Sequence, residues 1–275
     1  MTQSSEIAIT KFDGATSRET RDCVALEEPL EIRLNATDGT ARGSRSLSIT
    51  MRTPGHDNEL AAGFLLTEGL LHHAHEIASI TQDSDNVVTV NLADHARMAW
   101  PTMERHFYAT SSCGVCGKSS LDALEVPGLQ RIARDGFTFN VRTLPQLSDR
   151  LRAKQAVFDQ TGGLHAAALF DESGELVDIR EDVGRHNAVD KLLGAQFLHG
   201  HTPLANRLLF LSGRASFELV QKALAAGIPM IAAVGAPSSL AVELALRFDL
   251  TLLGFVRGER FNAYSGAWRL RGGTS

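Results

Sequence analysis

Between positions 164 and 256 the chain alternates short apolar runs with stretches of helical period, and this alternation leaves the second half few architectures to adopt. Strands are expected at 164–170, 176–179, 207–211, 230–234 and 251–256, with helices at 185–198, 217–226 and 239–248. Strands separated by crossover helices pack as a mixed or mostly parallel sheet covered on its faces, so a three-layer α/β arrangement is expected. In open sheets of this kind, ligands bind where strands end and helices begin.

The first half reads as a smaller α+β unit of modest strands. Positions 30–34 and 47–51 alternate apolar and polar residues, which predicts two strands around a loop at 35–45. His56, Asp57, Asn58 and Glu59 offer capping groups ahead of Leu60, Ala61, Phe64 and Leu65, a helical face ending near Gly69. Positions 77–81 and 87–92 predict a hairpin across Asp83-Ser84-Asp85-Asn86. His72, His73 and His75 fit a solvated helix end. A further helical pattern covers 145–160 and stops at Gly162-Gly163. The expected division is an N-terminal α+β domain at 1–144 and a C-terminal α/β domain at 145–275. A hydrophobic share of 43% over 275 residues is enough for both cores.

Reactive chemistry is expected at Cys113 and Cys116, a C-x-x-C pair inside Ser111-Ser112-Cys113-Gly114-Val115-Cys116-Gly117-Lys118. In a glycine-flanked loop, backbone N–H groups and Lys118 favour the thiolate, and the second thiol can form or resolve a sulfur bond. A strand at 107–110 and a helix from 119 would frame the loop, the helix's amino end adding to the same effect. The spacing also fits half of a zinc site, but a closed site needs four ligands and no second pair exists; His106, His165 and His186 are isolated candidates. No metal site is assigned. Zinc deaminases need H-x-E, and none of the ten histidines has a glutamate two positions on. A thiol-disulfide oxidoreductase remains open. Cys23 fits a small buried hydrophobe.

No apolar run approaches the ~18 residues of a membrane span, and positions 1–13 carry no signal core. An odd count of three cysteines does not describe a secreted disulfide framework, so a cytoplasmic protein is expected. A net charge of −5 argues against a general nucleic-acid coat. The cations are 22 arginines against 5 lysines. Arginine suits phosphate and carboxylate partners, although a GC-rich genome would give the same bias.

Three predicted strand ends carry candidate ligand residues. Ser212, Gly213 and Arg214 follow the first, with Ser216 beyond; Gly235-Ala236-Pro237-Ser238-Ser239 follow the second. Neither is a Walker loop, and either is open to plain helix capping. At the third, Phe255, Val256, Arg257, Gly258, Glu259 and Arg260 place two arginines about a turn, which suits a pyrophosphate or a surface salt bridge through Glu259. Asp178 to Asn187 packs six ionisable residues into ten positions, a solvated turn or a ligand site. His186 within it is assigned no acid–base role.

The cysteine motif, Thr161-Gly162-Gly163-Leu164-His165, Glu181-Asp182-Val183-Gly184-Arg185-His186-Asn187, Ser212-Gly213-Arg214 and Phe255 to Arg260 together resemble the formate dehydrogenase accessory sulfurtransferases, in order and spacing, over about residues 20 to 266. The resemblance implies a sulfur carrier. A cysteine desulfurase would load a persulfide on Cys113, with Cys116 assisting or resolving. The sulfur would pass to a molybdenum or tungsten bis(molybdopterin guanine dinucleotide) before that cofactor enters the formate dehydrogenase catalytic subunit. It further implies a C-terminal fold similar to cytidine deaminases without their zinc, GDP- or GMP-moiety contacts at Phe255 to Arg260 and at Ser212 to Arg214, and a homodimer.

Overall fold

The structure, a computed structural model, describes residues 2–38, 41–96 and 128–273. Its centre is a six-stranded sheet in the order β13-β12-β11-β10-β8-β9. The strands are β8 (His165–Phe170), β9 (Leu176–Asp182), β10 (Leu208–Leu211), β11 (Met230–Ala233), β12 (Thr251–Arg257) and β13 (Arg260–Ser265). The expected strand–helix alternation is present, and of the two expected arrangements, mixed or mostly parallel, the sheet takes the mixed one. Only β10, β11 and β12 run in parallel; β8–β9 and β12–β13 are hairpins, and β8 meets β10 antiparallel. Tight turns at 171–175 and 258–259 leave no room for a crossover, so those neighbours must reverse. The strand β13 escaped the sequence reading because its pattern is short and mostly polar.

The period of two decides which side chain goes to which layer. Ala167, Leu169, Leu209, Leu211, Ile231, Ala233 and Leu252 face one apolar cluster, while Ala166, Ala168, Phe170, Leu208, Phe210, Met230, Ala232 and Leu253 face another. On the first side lie three helices, α4 (Arg185–Leu198), α5 (Phe217–Ala225) and α6 (Ser239–Arg247). On the second lies α2 (Leu144–Arg152), through Leu144, Leu147 and Leu151, preceded by the two-residue strand β7 (Phe139–Asn140). The helix expected across 145–160 is two: after α2 the chain breaks at residues 153–155 and resumes as α3 (Ala156–Thr161).

A four-stranded sheet in the order β4-β3-β6-β5 occupies the first third of the chain. Its strands are β3 (Glu28–Asp38), β4 (Ala41–Arg52), β5 (Ile77–Ser84) and β6 (Val87–Leu92). The hairpin β5–β6 is as expected, but the loop expected at 35–45 is mostly strand. Leu30, Ile32, Leu34 and Ala36 are all buried, so the alternation continues, with Asn35 and Thr37 on the wetter face. Ahead of this sheet, β1 (Ser4–Asp13) and β2 (Thr16–Ala25) form a separate hairpin that leans on α3. Its only sequence signal is Gly14, at the first position of a two-residue turn with φ 61°.

The helix α1 (Asp57–Thr67) lies where it is expected, although no side chain caps its start at His56, and it packs across α4. Gly63 and Gly194 meet at the crossing: a β-carbon on Gly63 would sit 1.8 Å from the Asp190 carbonyl oxygen, and one on Gly194 would sit 1.8 Å from that of Glu59. With the backbones that close, one apolar cluster joins Leu30, Val88 and Leu65 to Leu192, Leu219 and Leu244. Buried and half-buried polar groups join the same parts. Lys222 bonds both Asp190 oxygens at 3.0 and 2.9 Å and Thr67 at 2.9 Å. Arg180 forks onto Glu59 at 2.5 and 2.9 Å.

Candidate functional site at the carboxyl ends of the central strands

The parallel ladder of β10, β11 and β12 does not stop where the strands do. Val234 N–H donates to Leu211 at 3.0 Å, Gly235 N–H to Gly213 at 2.9 Å, and Phe255 N–H to Gly235 at 3.1 Å. Three of the sequence-predicted segments are thereby held side by side at one end of the sheet. Gly235 is where they press closest: a β-carbon there would lie 2.9 Å from Arg214 Cγ and 3.0 Å from its backbone nitrogen. The Ser212 hydroxyl accepts from Ala166 N–H at 2.8 Å, which ties this end to β8, and Ser238 caps α6 by accepting from Ala241 at 3.2 Å.

At the third strand end, the register slips between Gly254 and Arg257, and Phe255 has φ 55°, a left-handed conformation rare for a bulky residue. The slip sets the direction of each side chain that follows. Phe255 points outward, 44% exposed, whereas Val256 is fully buried among Leu253, Phe210 and Met230. Of the six residues expected to hold a ligand here, Val256 therefore contributes packing. Arg257 and Arg260 are cross-strand partners about the Gly258-Glu259 turn, both exposed. Like charges in that position repel. Among the described residues neither arginine forms an ion pair with Glu259.

The turn from β9 into α4 brings further groups to this end, because His165 at the start of β8 pairs with Asp182 at the end of β9. Asp182 is wholly buried and accepts from Lys191 Nζ at 2.7 Å, Gly184 N–H at 2.8 Å and Thr53 N–H at 3.1 Å. That network fixes the turn carrying Arg185 and His186. His186 Nε2 lies 2.8 Å from Glu218 Oε2 and 3.4 Å from Ser216 Oγ. The His165 ring sits over Gly213, whose added β-carbon would be 3.3 Å from Nδ1. Glu218 was not legible as a site residue: it reaches His186 from another helix, 32 positions away by 218 − 186.

Cys113 and Cys116, with the strand expected at 107–110 and the helix from 119, lie outside the described residues. Where the chain is described again it is firmly seated. Ile132 N–H donates to Phe248 at 2.9 Å, Arg134 bonds Asp249 at 2.8 Å and stacks 4.7 Å over Trp268, and buried Arg269 reaches the Ala133 carbonyl at 2.5 Å. This anchorage is at the amino end of β12, the opposite end from Phe255 to Arg260. Among the described residues no group of three or more His, Cys, Asp or Glu is arranged to hold a metal, and no helix is long and apolar enough to cross a membrane.

The profile of the FdhD/NarQ family matches residues 25–271. The chain belongs to that family. Its relatives include the sulfur carrier protein FdhD of Streptomyces coelicolor, 53% identical over 271 residues, covering 94% of this chain and 92% of the relative. The sulfur carrier protein FdhD of Nocardia farcinica is 47% identical over 268 residues (96% and 93%), and that of Sulfolobus acidocaldarius 42% over 260 residues (94% and 96%). A crystal structure from Desulfotalea psychrophila, described as a candidate formate dehydrogenase accessory protein, superimposes with a TM-score of 0.76 at 25% identity, over 98% of this chain and 100% of that one.

In this FdhD/NarQ chain the charge at the strand ends is uneven. The His165 imidazole is held below its ordinary pKa, chiefly by burial and then by the neighbouring Arg185 and His186. The Glu218 carboxyl is also held below its usual range, first by the hydrogen bond from His186 and further by Arg185 and Lys222. A neutral imidazole and a firmly ionised carboxylate thus sit beside Arg185. Such a surface can orient an anion and exchange hydrogen bonds with it.

Proposed function

We propose that the protein is a sulfur carrier serving formate dehydrogenase maturation. It accepts sulfane sulfur from a cysteine desulfurase as a persulfide on Cys113, with Cys116 assisting or resolving, and hands it to the bis-molybdopterin guanine dinucleotide cofactor of the formate dehydrogenase catalytic subunit. The cofactor is the substrate here. Its pyrophosphates and guanine would be gripped by Ser212, Gly213 and Arg214 and by the hairpin bearing Phe255, Arg257, Gly258, Glu259 and Arg260. The observation that supports this best is the cationic end of the parallel ladder, where the Arg257 and Arg260 pair has no ion pair to the glutamate between them. Guanidinium forks match phosphate geometry, and an exposed aromatic ring beside them can stack on a base. Carrying sulfur calls for an available thiolate and a second thiol within reach, which the C-x-x-C pair provides. A cytoplasmic homodimer goes with this reading.

Desulfurase treatment should add ~32 Da, one sulfur atom on a nucleophilic thiolate, to the peptide containing Cys113. Cys113→Ala should abolish that adduct and the support of formate dehydrogenase activity. If the alanine variant still accepts sulfur and supports the enzyme, the assignment of Cys113 is wrong. Thermal protection by GDP separates the sulfur carrier from a plain thiol-disulfide oxidoreductase, which needs no nucleotide.

A further inference from the structure

We propose that Arg185, His186 and Ser216 form a phosphate-binding corner in which Glu218 occupies the place of the anion until a phosphate displaces it. The proposal rests on the nucleotide reading of the strand ends and adds to it a subsite and a competitor.

Two segments meet at this corner. The β9–α4 turn, fixed from behind by the buried Asp182–Lys191 pair, brings Arg185 and His186; the start of α5 brings Ser216 at its N-cap and Glu218 two residues on. The Ser216 side chain makes no capping bond, so its hydroxyl is not committed to the helix. Its oxygen lies 3.4 Å from His186 Nε2, the nitrogen that also meets Glu218 at 2.8 Å. The Glu218 side chain is 56% exposed and can turn into solvent, whereas His186 is 33% exposed and stays on the turn. Arg185 forms no ion pair among the described residues, although its charge reaches both Glu218 and His165. An imidazole and a hydroxyl facing a replaceable carboxylate, with the half-buried Arg185 next in the chain, are a donor set for a phosphoryl group.

The exchange conserves every atom: a phosphate oxygen takes the hydrogen bond from His186 Nε2, and the Glu218 carboxylate takes one from water. The charged groups around His186 are Glu218 and Lys222 from α5, His165 from β8, Asp182 from β9 and Arg185 on its own helix. Lys222 is engaged by Asp190 and Asp182 by Lys191, which leaves Glu218 as the carboxylate free to exchange.

Calorimetric titration of the full-length protein with inorganic pyrophosphate, and separately with GDP, tests the corner. His186→Gln and Arg185→Gln should each weaken pyrophosphate binding by about tenfold, the usual scale of one charge-assisted hydrogen bond. Glu218→Gln should tighten it by about fivefold, the opposite sign, because it removes a competitor at the ~1 kcal/mol scale of a partly exposed ion pair. A merely structural cluster would lose affinity in all three variants, and that result overturns the proposal, as does failure of pyrophosphate to bind the unaltered protein. If pyrophosphate behaves as stated but GDP binds no better, the guanine reading fails and the corner stands. If GDP binds with unchanged affinity in His186→Gln and Arg185→Gln, the corner fails and the nucleotide reading stands.

Discussion

Phe255 shows what a residue identity can and cannot announce. Its place in a strand-end motif was legible, but nothing local distinguishes its outward ring from the buried side chain of Val256 one position on. The difference comes from the register slip at Gly254 to Arg257, which is set by pairing with β13, a strand the sequence hides. A left-handed backbone at a bulky residue costs about 1–3 kcal/mol and persists only where the surroundings impose it. Phe255→Gly should remove that strain along with the ring, so its melting temperature should match or exceed the parent's while GDP affinity falls about tenfold, the loss of one stacked base. Phe255→Ala keeps the strain and should lose affinity without gaining stability. A glycine variant that binds GDP normally would show that the ring does not touch the ligand.

Among the elements, those with strong internal period were legible. The helices α5 and α6 and the strands β8, β10, β11 and β12 fall where apolar spacing puts them, whereas α1 and α4 are buried nearly all round. Direction within the sheet was not, because a short apolar run reads the same whether its neighbour is parallel or antiparallel. The α1–α4 crossing was hidden for a related reason. Gly63 and Gly194 each look like a mild weakness in a helix until the other helix is in place, and then neither can carry a side chain. Gly63→Ala or Gly194→Ala must push the backbones apart, and overpacking of a dense contact costs about 1–3 kcal/mol, more where a carbonyl is struck. Urea unfolding of either variant should show a loss of about 3 kcal/mol or more. A loss below 1 kcal/mol would mean that the helices separate easily.

The molecule as a whole joins its two ends through charge as well as through apolar packing, and the joint should be visible in acid. Arg180 on β9 holds Glu59 on α1, with His56 on the same carboxylate at 3.0 Å. Burial alone would raise the Glu59 pKa, but the hydrogen bonds from His56 and Arg180 outweigh it and bring it down to about 2 from 4.5. Between those values the unfolded chain binds a proton that the folded one does not. The stabilisation is therefore complete above about pH 4.5 and disappears as pH falls toward 2. Since the pair is partly open to solvent, its worth is about 2 kcal/mol rather than the full linkage value. Glu59→Gln should lower stability at pH 7 by that amount, and the gap to the parent should close as both are titrated from pH 5 to pH 2. His165 acts at higher pH with the same sign: because the fold holds its imidazole neutral, stability is lost as pH falls below the ordinary histidine value of 6.5. The first effect ties α1 to β9 and the second lies at the start of β8, so acid should loosen this end of the sheet before it unfolds the central strands. Hydrogen exchange at pH 4 against pH 7 checks this. Protection should drop first in α1 and at residues 180–187 while β10, β11 and β12 keep theirs, and equal loss in all of them would show that the protein opens as one unit.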